Sequence, residues 1–240
     1  MGLDRDLNGN IVKASFFDVE NYSTLSSEGI SVMKFKYDDN GNEVSRQFFD
    51  QDDNLTKGNL GYAQIERTYD ENGGEASYRY YDENHNLVLV DGLAGRDYKR
   101  DNRGNVIEDI PVGLDNKLAK GYLVATRKYD DRDNNTEFAV FDANGKPDKN
   151  NNGIHKITYQ YNSRNQIVET RYYNTKGELT KYDDDNYSIM RVEYNEKGQI
   201  VRVSYFDTND QPALYYGDYD GGYASYTNEP QSICPCRYPS

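Results

Sequence analysis

Apolar and polar residues alternate in short runs along most of this chain. In His155-Lys156-Ile157-Thr158-Tyr159-Gln160-Tyr161 one side carries Ile157, Tyr159 and Tyr161, and from Ser188 to Tyr194 it carries Met190, Val192 and Tyr194. A second set alternates in the same way: Val12/Ala14/Phe16, Val44/Arg46/Phe48 and Val201/Val203/Tyr205. Period two in segments rich in β-branched and aromatic residues predicts strands. Clusters of Asp, Asn and Gly separate the runs, and no stretch carries a helical apolar stripe. The pattern predicts strands joined by tight turns.

The turns recur with the strands. Tyr37-Asp38-Asp39-Asn40-Gly41-Asn42, followed by Phe48-Phe49-Asp50, returns as Tyr69-Asp70-Glu71-Asn72-Gly73 with Tyr80-Tyr81-Asp82. It returns again as Tyr161-Asn162-Ser163-Arg164-Asn165 with Tyr172-Tyr173-Asn174, and as Tyr194-Asn195-Glu196-Lys197-Gly198 with Tyr205-Phe206-Asp207. A first turn slot is filled by Gly9, Gly41, Gly73, Gly104, Asp133, Asn165 and Gly198, at intervals of 32, 32, 31, 29, 32 and 33 residues. Twelve residues after each lies a second slot: Asn21, Asp53, His85, Asn116, Gly145, Gly177 and Asp210. All fourteen are Gly, Asn, Asp or His, the residue types that most readily take positive φ. A third column, Gly29, Gly61, Gly92, Gly121, Gly153 and Asn186, opens the next strand.

One unit is therefore a two-stranded hairpin, a second turn and a return segment. Seven such units, at about 1–28, 29–60, 61–91, 92–120, 121–152, 153–185 and 186–220, predict an all-β, elongated array of roughly 32-residue antiparallel hairpins, each resting on its neighbours. Residues 221–240 are expected to hold a further unit start, Gly222-Tyr223-Ala224, and an irregular tail with Pro230, Pro235 and Pro239. The fourth unit departs most. Arg100-Asp101 replaces Tyr-Asp, and Ile110-Pro111-Val112 replaces the aromatic pair, so an edge, a bend or a break is expected there. The amino terminus enters almost directly at a turn, as a segment of a longer array would, and flanking repeats of a parent chain are expected.

Composition fits a thin sheet better than a thick core. Hydrophobic residues make up 35% of the 240, and there are 24 Tyr and no Trp. Tyrosine supplies buried area while keeping a hydroxyl at a wet edge. The net charge of −13 leaves no basic stripe for a phosphate backbone and disfavours an anionic membrane surface. No apolar run is long enough to insert in a bilayer.

Candidate chemistry is sparse. Of the two histidines, His85 falls in a turn slot, and His155 falls in a strand column with Ser31, Ala63, Ala94, Leu123 and Ser188. Neither supports a Ser-His-Asp hydrolase or a histidine zinc centre. Cys234 and Cys236 stand alone in the tail, with no further cysteine or nearby histidine to complete a metal site. Asp4-x-Asp6-x-Asn8-Gly9 resembles the opening of a calcium loop, but Ser15 stands where the bidentate glutamate is expected. Asp, Asn and Gly are also what turns require. No cofactor is expected.

Each aromatic doublet must split between the two faces of its strand. Phe16, Phe48, Tyr80, Tyr172 and Tyr205 share a face with Val12, Val44, Ala76, Val168 and Val201 and are assigned to the packed side. Phe17, Phe49, Tyr81, Phe141, Tyr173 and Phe206 lie with Lys13, Gln47, Arg79, Arg171 and Ser204 on the more polar side. That row is a candidate ligand-binding ladder for sugar rings or an extended protein partner. Packing along the array explains it equally well.

The motif Tyr37-Asp38-Asp39-Asn40-Gly41-Asn42, its copy at Tyr69 and the starts Gly61-Tyr62-Ala63 and Gly222-Tyr223-Ala224 resemble the tyrosine-aspartate (YD) repeats of Rhs-type and other bacterial surface or secreted proteins. A weaker similarity is to MORN-type hairpin repeats. The resemblance spans about residues 5–220 and implies a non-enzymatic module, extracellular or at the cell surface, that binds a glycan or protein or acts as a spacer. Two alternatives stand beside it. One is a ligand-free scaffold such as part of a shell. The other is an accessory domain of an enzyme whose catalytic domain lies elsewhere.

Overall fold

The computed structural model describes residues 1–182 and 186–213. Gly222-Tyr223-Ala224, the prolines after it, Cys234 and Cys236 lie outside the described residues. The rest folds into strands and turns, with no helix among the described residues. Two units are distinguishable, Met1–Val124 and the chain from Ala125 onward.

The first unit holds β1 (Gly2–Arg5), β2 (Ile11–Ser15), β3 (Val32–Tyr37), β4 (Glu43–Phe49), β5 (Gln64–Tyr69), β6 (Glu75–Tyr81), β7 (Gly95–Arg100) and β8 (Val106–Val112). All pair antiparallel in chain order. The second holds β9 (Val124–Tyr129), β10 (Asn135–Phe141), β11 (Lys156–Tyr161), β12 (Ile167–Tyr173), β13 (Ile189–Tyr194) and β14 (Ile200–Phe206), again in chain order. The protein is an all-β array of antiparallel hairpins.

Carboxylates close the turns. Asp38 Oδ1 accepts from the Asn40 and Asn42 N–H groups at 3.0 and 2.8 Å, while Asn42 Nδ2 donates to Asp38 Oδ2 at 2.9 Å. The loop is completed by Asp38 N–H to the Asn42 carbonyl and Gly41 N–H to the Asp38 carbonyl, each 3.0 Å. Asp6, Asp101 and Asp130 repeat this set, and Asp18, Asp50, Asp82, Asp142 and Asp207 anchor the second turns in the same way. Asn162, Asn174 and Asn195 substitute an amide oxygen. Such a loop needs a left-handed residue three positions after the acceptor. All fourteen slot residues have φ between 59° and 90°. Gly29, Gly61, Gly92, Gly121 and Gly153 of the third column are left-handed too.

Leaving the first turn, every hairpin whose register is described carries a one-residue bulge. Lys36 faces Ser45 and Tyr37 faces Glu43, so Val44 is the extra residue, and the same shift recurs in the hairpins of β1, β5, β7, β11 and β13. A bulge strengthens local twist and re-aims the adjoining side chain. Here that side chain is the tyrosine of Tyr-Asp. Its hydroxyl donates to a main-chain carbonyl of the preceding repeat: Tyr37 to Ile11, Tyr69 to Glu43 and Tyr161 to Asn135 at 2.8 Å, and Tyr194 to Ile167 at 2.9 Å. Arg100, in the irregular fourth unit, does the same work with a guanidinium. It reaches the Glu75 carbonyl at 3.2 Å and its own turn at the Gly104 carbonyl at 3.0 Å.

Pro111 breaks nothing within β8. It faces Arg96 across the ladder, in mid-strand. Its equivalents Phe48 and Tyr80 direct their N–H away from the hairpin, to the carbonyls of Ala63 and Ala94 in the following repeat. Proline therefore leaves the β7–β8 ladder intact and removes the donor of one repeat-to-repeat bond. The expected break is reduced to that missing bond.

Burial concentrates where the start of one strand meets the end of the next. Ile30, Ser31, Phe48, Phe49, Ala63, Ile65, Leu93, Ala94 and Val112 are buried in the first unit, and Ala139, Val140, Ile154, Tyr172, Ser188 and Ile189 in the second. The strand ends near the first turns are half-exposed.

Two substitutions test this account. A Cβ on Gly41 meets nothing within 4 Å, so the cost of Gly41→Val is conformational only. It should reach about 1 kcal/mol or more and lower Tm by roughly 2–4 °C, whereas Gly41→Asn should cost less. Tyr69→Phe removes one hydroxyl tie and leaves the Glu43 carbonyl wanting a donor. Chemical denaturation should show a loss of about 1 kcal/mol with an unchanged m-value.

Candidate functional site

The two faces carry two aromatic columns of different character. On one face rings touch from repeat to repeat. In the first unit Phe48–Tyr62, Tyr62–Tyr80, Tyr78–Tyr80 and Tyr78–Tyr98 have centroids 5.4, 4.5, 5.3 and 6.4 Å apart. In the second, Tyr172 meets Tyr182 and Tyr187 at 4.7 and 5.9 Å, and Tyr187 meets Tyr205 at 4.7 Å. Tyr62 and Tyr187 come from the segment after the third turn, a contribution that strand alternation alone does not reveal. The Gly-Tyr dipeptide in that column is the signal that marks it.

Closer to the first turns, the same face becomes ionic. Glu43 binds Arg46 at 2.9 Å and Arg67 at 2.6 Å, and Arg67 also reaches Glu75 at 3.2 Å. Arg96 holds Asp109 at 2.7 Å. Burial, with Tyr78 beside them, pushes the hydroxyls of Tyr80 and Tyr98 up to about 12.

The candidate ladder occupies the other face, and its rings do not touch one another among the described residues. Each instead has a local partner. Lys34 Nζ lies 3.8 Å from the Phe49 centroid, Lys156 Nζ 4.8 Å from that of Tyr173, and the Arg191 guanidinium 4.3 Å from that of Phe206. His85 stacks on Tyr81 at 4.3 Å with 7° between the planes, and His155 meets Phe141 edge-on at 5.2 Å. Phe49 is buried at 8% exposure despite standing on the more polar face, whereas Phe17 is 40% exposed. The backbone of this column also closes the second hairpin, bridging Phe17 to Ser23, Phe49 to Leu55, Tyr81 to Leu87, Phe141 to Pro147, Tyr173 to Leu179 and Phe206 to Pro212.

Ion pairs fill the space between these rings. Glu169 is held by Arg171 at 2.6 Å and Arg191 at 2.7 Å, and Arg191 also takes Asp210 at 2.8 Å. Burial works to raise the Glu169 carboxyl, but the two guanidinium donors hold it below the ordinary glutamate range.

His155 stands just before β11, buried, with Nδ1 2.9 Å from the Val140 carbonyl and 3.2 Å from that of Asp148. The calcium candidates are not assembled. Asp4 lies in β1 opposite Lys13, while Asp6 is engaged by Asn8 N–H, Asn10 N–H and Asn10 Nδ2 at 2.9, 2.8 and 3.0 Å. Among the described residues no three His, Cys, Asp or Glu side chains gather as metal donors. The depressions between successive first turns are open clefts. One of about 380 Å3 is lined by Asp70, Gly73, Arg100 and Arg103, and one of about 770 Å3 by Asp6, Asn10, Tyr37 and Asp38.

No protein-family model and no curated protein matches the chain. Among solved structures it is similar to part of a Tc holotoxin pore from Photorhabdus luminescens, at 11% identity and TM-score 0.38, over 87% of this chain and 11% of that one. It is also similar to the TcdB2–TccC3 complex, at 11% identity and TM-score 0.43, over 88% of this chain and 12% of that one. The same complex with Cdc42 gives 11% identity and TM-score 0.42 over 88% and 11%. The chain thus spans only about a tenth of the length of these neighbours. At such scores the likeness carries no argument about activity or partners.

Tyr80 and Tyr98 set an alkaline limit. Their folded values lie above the unfolded value near 10, so the folded state favours the neutral phenol. That stability is fully present below pH 10 and is lost as pH rises toward about 12. Absorbance titration at 295 nm should show a late tyrosinate fraction, with Tm falling over the same interval. Tyr80→Phe should reduce that fall.

Proposed function

We propose that this chain is a non-enzymatic scaffold or spacer built from hairpin repeats, part of a surface or secreted bacterial protein. The observation that carries the reading is the internal engagement of its polar and aromatic groups. Turn carboxylates close their own loops, the Tyr-Asp hydroxyls bind the preceding repeat, and five of the six candidate ladder rings are matched with a lysine, an arginine or a histidine of the same chain. Groups committed in this way hold repeats together. The extracellular placement rests on the resemblance of the Tyr-Asp units to YD repeats, and the neighbours' share in toxin assemblies adds no weight to it.

The second reading, a ladder for a glycan or an extended protein, is favoured by one observation. Tyr81 and Tyr173 are only partly buried, and their hydroxyls stand on the polar face. A glycan array probed with the chain, together with the double variant Tyr81→Ala/Tyr173→Ala, separates the two. The scaffold predicts no array signal and a loss of several kcal/mol in the variant, in the range of large-to-small aromatic substitutions reduced for partial exposure. A specific glycan signal abolished by the variant, with stability nearly unchanged, would establish the ladder instead.

A further inference from the structure

Phe17 is the member of the polar-face column left without a partner, and the cause is visible in the register. Lys34 and Arg191 cover Phe49 and Phe206 from the neighbouring strand, opposite Gln47 and Ser204, two residues before the ring. In the first hairpin the corresponding residue, opposite Ser15, is Gly2. The Phe17 ring leans over that glycine, and a Cβ there would lie 3.0 Å from Cε2. No cation or second ring covers Phe17 among the described residues.

The same register says where a cation would come from. Between hairpins, the second strand of one repeat pairs with the first strand of the next through a fixed column: Lys13 with Lys34, Ser45 with Glu66, Ser77 with Asp97, Glu137 with Thr158 and Glu169 with Arg191. Gly2 is the β1 member of the receiving column, and Arg202 is the β14 member of the donating column. Among the described residues β1 pairs only with β2, and β14 only with β13. We propose that β14 of one copy adds antiparallel to β1 of another, setting Arg202 opposite Gly2 so that its guanidinium crosses the bare glycine onto the Phe17 ring.

Three further features fit this partner. The Arg202 side chain is 62% exposed and is held only by Glu193 at 3.7 Å, so it is free to turn. Asp4, two residues along β1 on the same face, offers the guanidinium a carboxylate. On the opposite face, the exposed Leu3 of β1 comes level with the exposed Val201 of β14. Charge points the same way. Residues 1–124 hold 14 Lys and Arg against 23 Asp and Glu, a net of −9, so an incoming arginine meets an acidic unit. Because donor and receiver patches differ, the contact is head-to-tail and extends beyond dimers unless it closes into a ring.

Sedimentation velocity of the full chain over a wide concentration range tests this. The weight-average sedimentation coefficient should rise with concentration. Phe17→Ala and Arg202→Gln should each weaken association roughly fivefold, the scale of one exposed cation–π contact. Leu3→Lys should weaken it independently, and circular dichroism should show all three variants folded. A monomer at every concentration overturns the proposal. So does association that survives Phe17→Ala and Arg202→Gln unchanged, which would place the contact on another surface. Binding of an added arginine-bearing peptide at Phe17 by a chain that stays monomeric would assign the seat to a foreign partner and overturn the second copy.

Discussion

A carboxylate or amide oxygen bonding the main chain two and four residues ahead is the interaction on which this protein depends. It fixes a five-residue loop, and the loop fixes where a left-handed residue must stand. That residue in turn sets the phase of the strand that follows. Asp38, Gly41 and Asn42 show the set in full: three hydrogen bonds to one carboxylate and a glycine at φ 83°. The carboxyl is held below its ordinary range by the Asn42 side chain and by the backbone donors. The acidity of the chain is largely the by-product of repeating this loop twice in each unit.

Everything between the turns follows from the phase they impose. The bulge after the first turn lifts the tyrosine of Tyr-Asp toward the preceding repeat, and its hydroxyl satisfies a carbonyl there. Strand alternation then sends one member of each aromatic doublet to a face where rings touch in series, and the other to a face where cations cover them. Tyrosine serves both purposes because it joins a large apolar ring to one hydrogen-bonding atom. That is why a chain with 24 tyrosines can do without tryptophan and with few leucine-rich segments.

The sequence showed much of this because turn chemistry is local. The fourteen slots are visible as Gly, Asn, Asp or His at fixed intervals, and each demands a backbone conformation that few other residues tolerate. The strands between them follow from alternation. What stayed hidden was long-range. Nothing in Arg100-Asp101 announces that a guanidinium can replace a phenol at the tie to Glu75. Pro111 reads as a breaker until the direction of its missing N–H is known. The partners of the polar-face rings were equally concealed, since Lys34, Lys156 and Arg191 occupy no common motif and meet their rings only once the register is set. A row of aromatics suggested a ladder, and the cations lying over it are what the spacing could not reveal.

The tyrosine tie has an evolutionary consequence. Tyr37 reaches Ile11 and Tyr69 reaches Glu43, so each bond joins equivalent positions one period apart. Excise the 32 residues from Asp38 to Tyr69, and Tyr37 is followed by Asp70, the same Tyr-Asp junction as before. The join preserves the turn, and Glu75 then stands in the place of Glu43. Unequal crossing-over between the coding repeats would therefore add or remove whole hairpins with no seam to repair. The number of hairpins becomes a trait that recombination can tune, separately from the substitutions that tune each one.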